Sequence, residues 1–278
     1  MKTFYSILKW NFLHLFQNRY TLLFLAISFL PVLVCIFIQI YPDLAQNTRK
    51  IYPHQSEYNE LQSPEEISPS GVPFKTKIIT LSKQEIFSLL SYRFLLGFIL
   101  LFGLCCLGSK AIGEEVELGT LQMLFLRPLS RKMIYLSKGI ALTLTGLAIA
   151  IIPLFLMFAL LFGWQGEIKI FFQMLFIYFL GILSYSWIFL LIGMFKGGLY
   201  FALLYAFFWE FMIVAVTERA RKFAVSHYLE SLIFDLLGQR AGYMSTFWEA
   251  TAVLLCVSFV MLLAGIVCFD KQEFSFSH

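Results

Sequence analysis

Charge is scarce in this chain. Only 14% of its 278 residues are Asp, Glu, Lys or Arg, and the formal balance is a modest +4. The basic residues are scattered rather than gathered on one face, which leaves no case for a nucleic-acid partner. Cysteine is also sparse. Cys35, Cys105, Cys106, Cys256 and Cys268 all lie in or at the rim of apolar runs, and none lies in a polar segment where a disulfide framework would need it. The adjacent Cys105-Cys106 pair has no His or carboxylate three or four residues away to complete a metal-ligand set, so the thiols read as small apolar packers. The chain contains no Gly-x-x-x-x-Gly-Lys-Ser/Thr, no Gly-x-Ser-x-Gly, no His-Glu-x-x-His and no paired acids within an apolar run. Nucleotide hydrolysis, nucleophile-elbow chemistry and zinc proteolysis each need one of these arrangements. No cofactor site is expected in this chain.

What is abundant is apolar surface. Apolar residues make up 59% of the sequence, with 32 Phe, more than a soluble domain of this length can bury. Apolar runs of about 20 residues, enough to cross a ~30 Å hydrocarbon core, recur along the chain. Six spans are predicted, at Thr21–Ile40, Leu89–Gly108, Ile140–Phe162, Ile170–Phe195, Leu199–Val216 and Phe247–Phe269. The fold class is therefore an all-α membrane protein, read as one transmembrane domain over 1–278. The stretch from Ile170 to Val216 is too long for one crossing, and Lys196-Gly197-Gly198 supplies the break. Ser82 with Glu85, and Thr246 with Glu249, form capping boxes ahead of the second and sixth spans. Pro31 and Pro153 fall inside spans, where kinks are expected.

The connecting segments differ in kind. Residues 1–19 place Phe4, Tyr5, Leu8, Phe12, Leu15 and Phe16 on one helical face and Lys2, Ser6, Lys9, Gln17 and Arg19 on the other. That pattern predicts an interfacial helix lying on the membrane surface, with a frayed tail as the plainer alternative. Residues 41–87 hold five of the eight prolines. Ser63-Pro64-Glu65-Glu66 resembles a first helical turn and Phe74–Ile78 alternates like a short strand, so the segment reads as a small external cap. In residues 217–246, Tyr228, Leu229, Leu232, Ile233, Leu236 and Leu237 recur at helical spacing, with Ser226 as N-cap and Gly238 as C-cap. This predicts an amphipathic helix too short to span. His227 has no evident partner and reads as a surface or capping residue.

Residues 109–138 form a dense charged segment between two apolar runs, where a short polar turn would suffice. Glu114, Glu115 and Glu117 are followed by Gly119-Thr120-Leu121, an apolar turn with Leu124 and Phe125, then Arg127, Pro128, Ser130, Arg131 and Lys138. Gly119 can end one helix, Thr120 can cap a short new one, Pro128 can end it, and Ser130 can cap the third span. The plainer alternative is a polar loop held at the headgroups by Arg127, Arg131 and Lys132.

The order of these residues resembles the cytoplasmic loop of ABC-2-type exporter permeases: an acidic cluster, Gly-Thr-Leu, an apolar turn, a Pro-x-Ser-Arg element and a following Lys. Gln122 departs from the acidic residue often found after Gly-Thr-Leu. Ser226–Leu232 also resembles a segment ahead of the last span in one branch of that family. The resemblance implies a multi-pass permease in the bacterial cytoplasmic (inner) membrane, with both termini cytoplasmic. It implies that residues Glu114–Arg131 form a coupling helix seated on a separate ABC ATPase subunit, which binds ATP and Mg. It also implies a second permease copy or related subunit, and an external re-entrant or interfacial helix before the last span. Membrane lipid is a further partner.

Charge bias does not decide the orientation. Each side of the predicted topology carries ten Lys and Arg, apart from Arg93 near the start of the second span. The basic, acid-free N-terminal segment and the resemblance place the N-terminus inside. Glu210 is the one acid clearly inside a predicted span and is expected on a substrate path, an outward-snorkelling acid being the alternative. Aromatic-rich spans favour a hydrophobic or lipid-like cargo. An ion-coupled secondary transporter would show more spans and internal symmetry, and an intramembrane enzyme would show a reactive set; the sequence presents neither.

Overall fold

The computed structural model describes residues 2–40, 83–117, 130–163, 168–213, 218–238 and 244–271. Every regular element among the described residues is helical. In chain order these are α1 (Lys2–Gln17), α2 (Arg19–Ser28), α3 (Leu30–Ile40), α4 (Lys83–Leu90), the π-helical segment π1 (Ser91–Leu100), α5 (Leu101–Glu117), α6 (Arg131–Phe162), α7 (Ile168–Ile192), α8 (Gly198–Leu204), the π-helical segment π2 (Tyr205–Ile213), α9 (Glu218–Arg221), α10 (Val225–Leu236) and α11 (Phe247–Lys271). Five helical stretches are long and apolar enough to cross a membrane: Arg19–Phe37, Ile86–Glu115, Arg131–Phe162, Ile168–Ile192 and Phe247–Lys271. The chain is a helical membrane protein. Gly198–Met212, where the fifth span was expected, is apolar but shorter.

The second and third spans extend beyond their sequence-predicted ends, because the charged flanks remain helical. The helix begun at Lys83 continues through α5 to Glu117, and α6 starts at Arg131, so the 109–138 connection shrinks. The 41–87 connection likewise gives up its last residues to α4; its predicted turn, its strand and Ser82 of the capping box lie outside the described residues. The first span is interrupted at Phe29, whose N–H bonds the Ala26 carbonyl at 3.2 Å. Pro31 then sits in the first turn of α3, where no N–H donor is required. Pro153 lies within a continuous α6.

α7 is the central helix, packed against α5, α6, α10 and α11. With lipid on all sides, such packing depends on close backbone approach at small residues. A Cβ at Gly139 of α6 would overlap the Trp187 ring of α7, and one at Gly265 of α11 would overlap Tyr135. A Cβ at Gly193 would overlap the backbone of Ser109 on α5, so this glycine serves helix packing. Gly197 serves the turn between α7 and α8, in the left-handed conformation at φ 77° that L side chains avoid.

α1 packs along α6. Leu15 is buried, and so is Asn11, whose Nδ2 donates to Ser137 Oγ at 2.9 Å. Tyr5, placed on the apolar face by the periodicity, is 69% exposed, and Trp10 and Leu13 are exposed as well. The helix turns a polar Asn to the protein, and of the residues assigned to its apolar face Tyr5 is the one that points outward.

Candidate functional site

The candidate residues fall at two ends of the bundle. At one end α5 and α6 flank residues 118–129. Ser130 is the N-cap of α6, with ψ 138° and a side-chain oxygen that accepts from the Met133 N–H. Arg131 donates from Nη1 to the Asp270 carbonyl at 3.2 Å, and Lys132 lies 3.6 Å from the Asp270 carboxylate. The last turn of α11 is thereby fixed beside the first turn of α6, and Asn11 brings α1 to the same end.

The acidic cluster divides by helical position. Glu114 pairs with Lys110 one turn earlier at 3.3 Å. The Lys110 ammonium also stands 3.8 Å from the centre of the Tyr20 ring of α2, a cation–π contact. Glu115 faces inward. Its Oε1 lies 2.6 Å from Lys138 Nζ, which also donates to the Ala111 carbonyl at 2.7 Å. Lys138 is buried, so the pair is shielded from solvent and joins α5 to α6, the two helices that residues 118–129 connect in sequence. Among the described contacts, Glu114 thus serves α5 itself, and Glu115 serves the junction of α5 with α6. Glu117 ends α5. Gly119, Thr120, Leu121, Leu124, Phe125, Arg127 and Pro128 lie outside the described residues.

At the far end, Glu210 of π2 is buried. Its Oε1 accepts from the Tyr205 hydroxyl at 2.9 Å and from the Val225 N–H at 3.2 Å, and its Oε2 accepts from the Ser226 N–H at 3.0 Å. α10 begins at Val225 with Ala224 as its N-cap residue, so Ser226 is not the cap. Ala has no oxygen to offer, and Glu210 supplies the acceptors from another helix. At the other end of α10, Gly238 adopts φ 69°, as a C-terminal glycine should.

α10 is embedded. Leu229 packs against Gly181, about midway along α7, and Leu232 and Ile233 are buried. His227 is also buried, at 3% exposure, which corrects its reading as a surface residue. Its Nε2 has no hydrogen-bond partner among the described residues. Burial, then the Arg221 and Lys222 charges, push its imidazole below the ordinary histidine range. A cleft of about 500 Å³ opens beside the last turn of α10, with Lys169, Gln173 and Asp235 among apolar walls that include Phe176, Leu236 and Phe247.

Sequence reasoning missed Asn11, the Glu115–Lys138 pairing and the cap supplied by Glu210. An Asn within an apolar-periodic helix was the available signal for the first. All five cysteines are free, with Cys35 and Cys105 buried and Cys256 and Cys268 exposed. Searches of the curated proteins and of the solved structures found no match. The family described as a protein of unknown function (DUF2705) matches residues 56–275, most of the chain, and the chain belongs to that family.

Proposed function

We propose that this chain is the membrane-spanning permease subunit of an ATP-driven exporter of the ABC-2 type, with six spans and both termini on the cytoplasmic side of a bacterial inner membrane. It hydrolyses nothing itself; a separate ATPase subunit binds ATP and Mg, and two permease copies or related subunits enclose the path. Residues Glu114–Arg131 form the element that seats on the ATPase, with Leu121, Leu124 and Phe125 as its apolar face. In this reading Gly198–Ile213, extended by the residues that follow, is the fifth crossing.

The observation that supports this most is the buried Glu115–Lys138 pair, which joins the helices on either side of residues 118–129 in the chain. A coupling element transmits displacement only if its base is stiff, and this pair ties the two emerging helices together. The capped start of α6 and its contacts to Asp270 brace the same base from the outside. An amphipathic cargo suits the cleft beside α10, which combines Lys169 and Gln173 with aromatic walls.

The test is purification of the chain from its native membrane. An ATPase subunit should accompany it, and the chain alone should hydrolyse no ATP. Robust ATPase activity of the pure single chain would sink the reading. Replacing Leu124 or Phe125 by Asp should weaken the association while the chain still inserts. Labelling of residues 118–129 only from outside the cell would overturn both the topology and the coupling role.

A further inference from the structure

Two stretches of wide-wound backbone converge on the first turn of one embedded helix. π-Helix is rare, well under 1% of residues in ordinary proteins, and collects at functional positions. Here π1 and π2 belong to different apolar helices, and both contribute side chains to the start of α10. From π1, the Tyr92 hydroxyl donates to the Ser226 carbonyl at 3.0 Å. From π2, Glu210 accepts from the Val225 and Ser226 N–H groups, and the Trp209 indole N–H donates to the Phe223 carbonyl at 3.1 Å. The i→i+5 winding of π2 sets Tyr205 over Glu210, five residues on, and the Tyr205 hydroxyl holds Oε1 at 2.9 Å.

The need for such an arrangement follows from where α10 begins. A helix start leaves its first N–H groups without intrahelical partners, and a buried one finds no bulk water to satisfy them. Ala224 and Val225 are both buried, and neither side chain can accept a hydrogen bond. A carboxylate is well matched, because it accepts two N–H bonds and its charge faces the positive end of the helix dipole.

We propose that Glu210 is a positioning residue that acts through α10. It caps the embedded helix from a neighbouring span, latching it against α7 and α11, and it does not contact cargo. Tyr92 and Trp209 orient the same turn. The latch stands on these hydrogen bonds alone; its consequence, that releasing α10 opens the far end of an export path, rests on the exporter reading.

Hydrogen exchange on the full chain in lipid nanodiscs tests the latch. In Glu210→Ala, the amides from Val225 to Leu229 should exchange about tenfold faster or more, the effect of losing roughly 1.4 kcal/mol of local protection, while α7 and α11 keep wild-type protection. Glu210→Gln retains one side-chain acceptor and should recover part of that protection, whereas Glu210→Leu should recover none. Tyr92→Phe removes a different contact and should loosen the same five residues by a smaller factor. It keeps the test available if Glu210→Ala does not fold. A cargo contact would leave exchange in α10 unchanged, so wild-type protection of Val225 and Ser226 in Glu210→Gln and Tyr92→Phe overturns the proposal. Equal acceleration across α7, α10 and α11 in those two variants also overturns it. The ATPase should still copurify with every variant. Its absence from the wild-type preparation would remove the exporter reading and leave the latch standing, whereas intact association with unchanged exchange would remove the latch alone.

Discussion

Glu115 and Glu210 are acids withdrawn from water at opposite ends of the molecule, and they are satisfied by different kinds of partner. Glu115 meets a flexible ammonium, Lys138, at 2.6 Å. Glu210 meets backbone, the two N–H groups that open α10, at 3.2 and 3.0 Å. The first arrangement tethers, since one contact between two long side chains fixes separation but little orientation. The second orients, since two parallel donors on a rigid helix define both its position and its direction. A buried ion pair depends on both charges, and removing one strands the other. A helix cap depends first on an acceptor in the right place and gains less from the charge itself.

The comparison breaks most readily at the ion pair. Lys138→Met should remove the cation that Glu115 faces and cost about 3–5 kcal/mol of stability, read as a fall in melting temperature in detergent. The exchange Glu115→Lys with Lys138→Glu should restore a large part of it. A wild-type melting curve for Lys138→Met would remove the tether. Glu210→Ala comes next, at about 1–2 kcal/mol for a lost cap. Glu210→Gln should be milder than Glu115→Gln, because only the second change leaves a buried cation stranded. If the two Gln variants melt alike, the distinction between tether and cap fails. Ser130→Ala should cost about 1 kcal/mol or less, since this cap lies at an exposed helix start.

The smallest expected effect concerns His227. Its folded-state pKa lies below the ordinary value, so the unfolded chain takes up the proton first. The stability this residue contributes is therefore present above about pH 6.5 and is lost as pH falls from there through the depressed folded value. Arg221 and Lys222 act in the same direction as burial. His227→Leu should flatten the melting temperature over that acid range. An unchanged slope would mean that the imidazole titrates alike in both states.

Local features of this fold were readable in the sequence because their causes are local. Ser130 caps α6, Gly197 turns the chain between α7 and α8, and Thr246 and Glu249 exchange hydrogen bonds at 3.0 and 3.4 Å. Each depends on residues within one turn of the chain. The bundle of apolar helices was legible for the same reason, since length and hydropathy belong to a single segment. What failed to show itself is what the bundle brings together. Nothing near Ser226 reveals that its N–H is satisfied by Glu210, 16 residues earlier in the chain. Nothing around Lys138 shows that it is buried on Glu115 rather than exposed at a headgroup. The π windings were hidden as well, because an apolar run reads the same whether its backbone closes at four residues or five.

The bond between Asn11 and Ser137 carries a consequence for how the molecule is made. Its partners are 126 residues apart. At about 5–20 residues per second, synthesis of the intervening chain takes roughly ten seconds. During that interval α1 has left the ribosome but its seat on α6 does not yet exist. The exposed Tyr5, Trp10 and Leu13 side chains give the nascent helix a resting place on the bilayer while it waits. The first segment synthesised thus waits for the third span before it can dock.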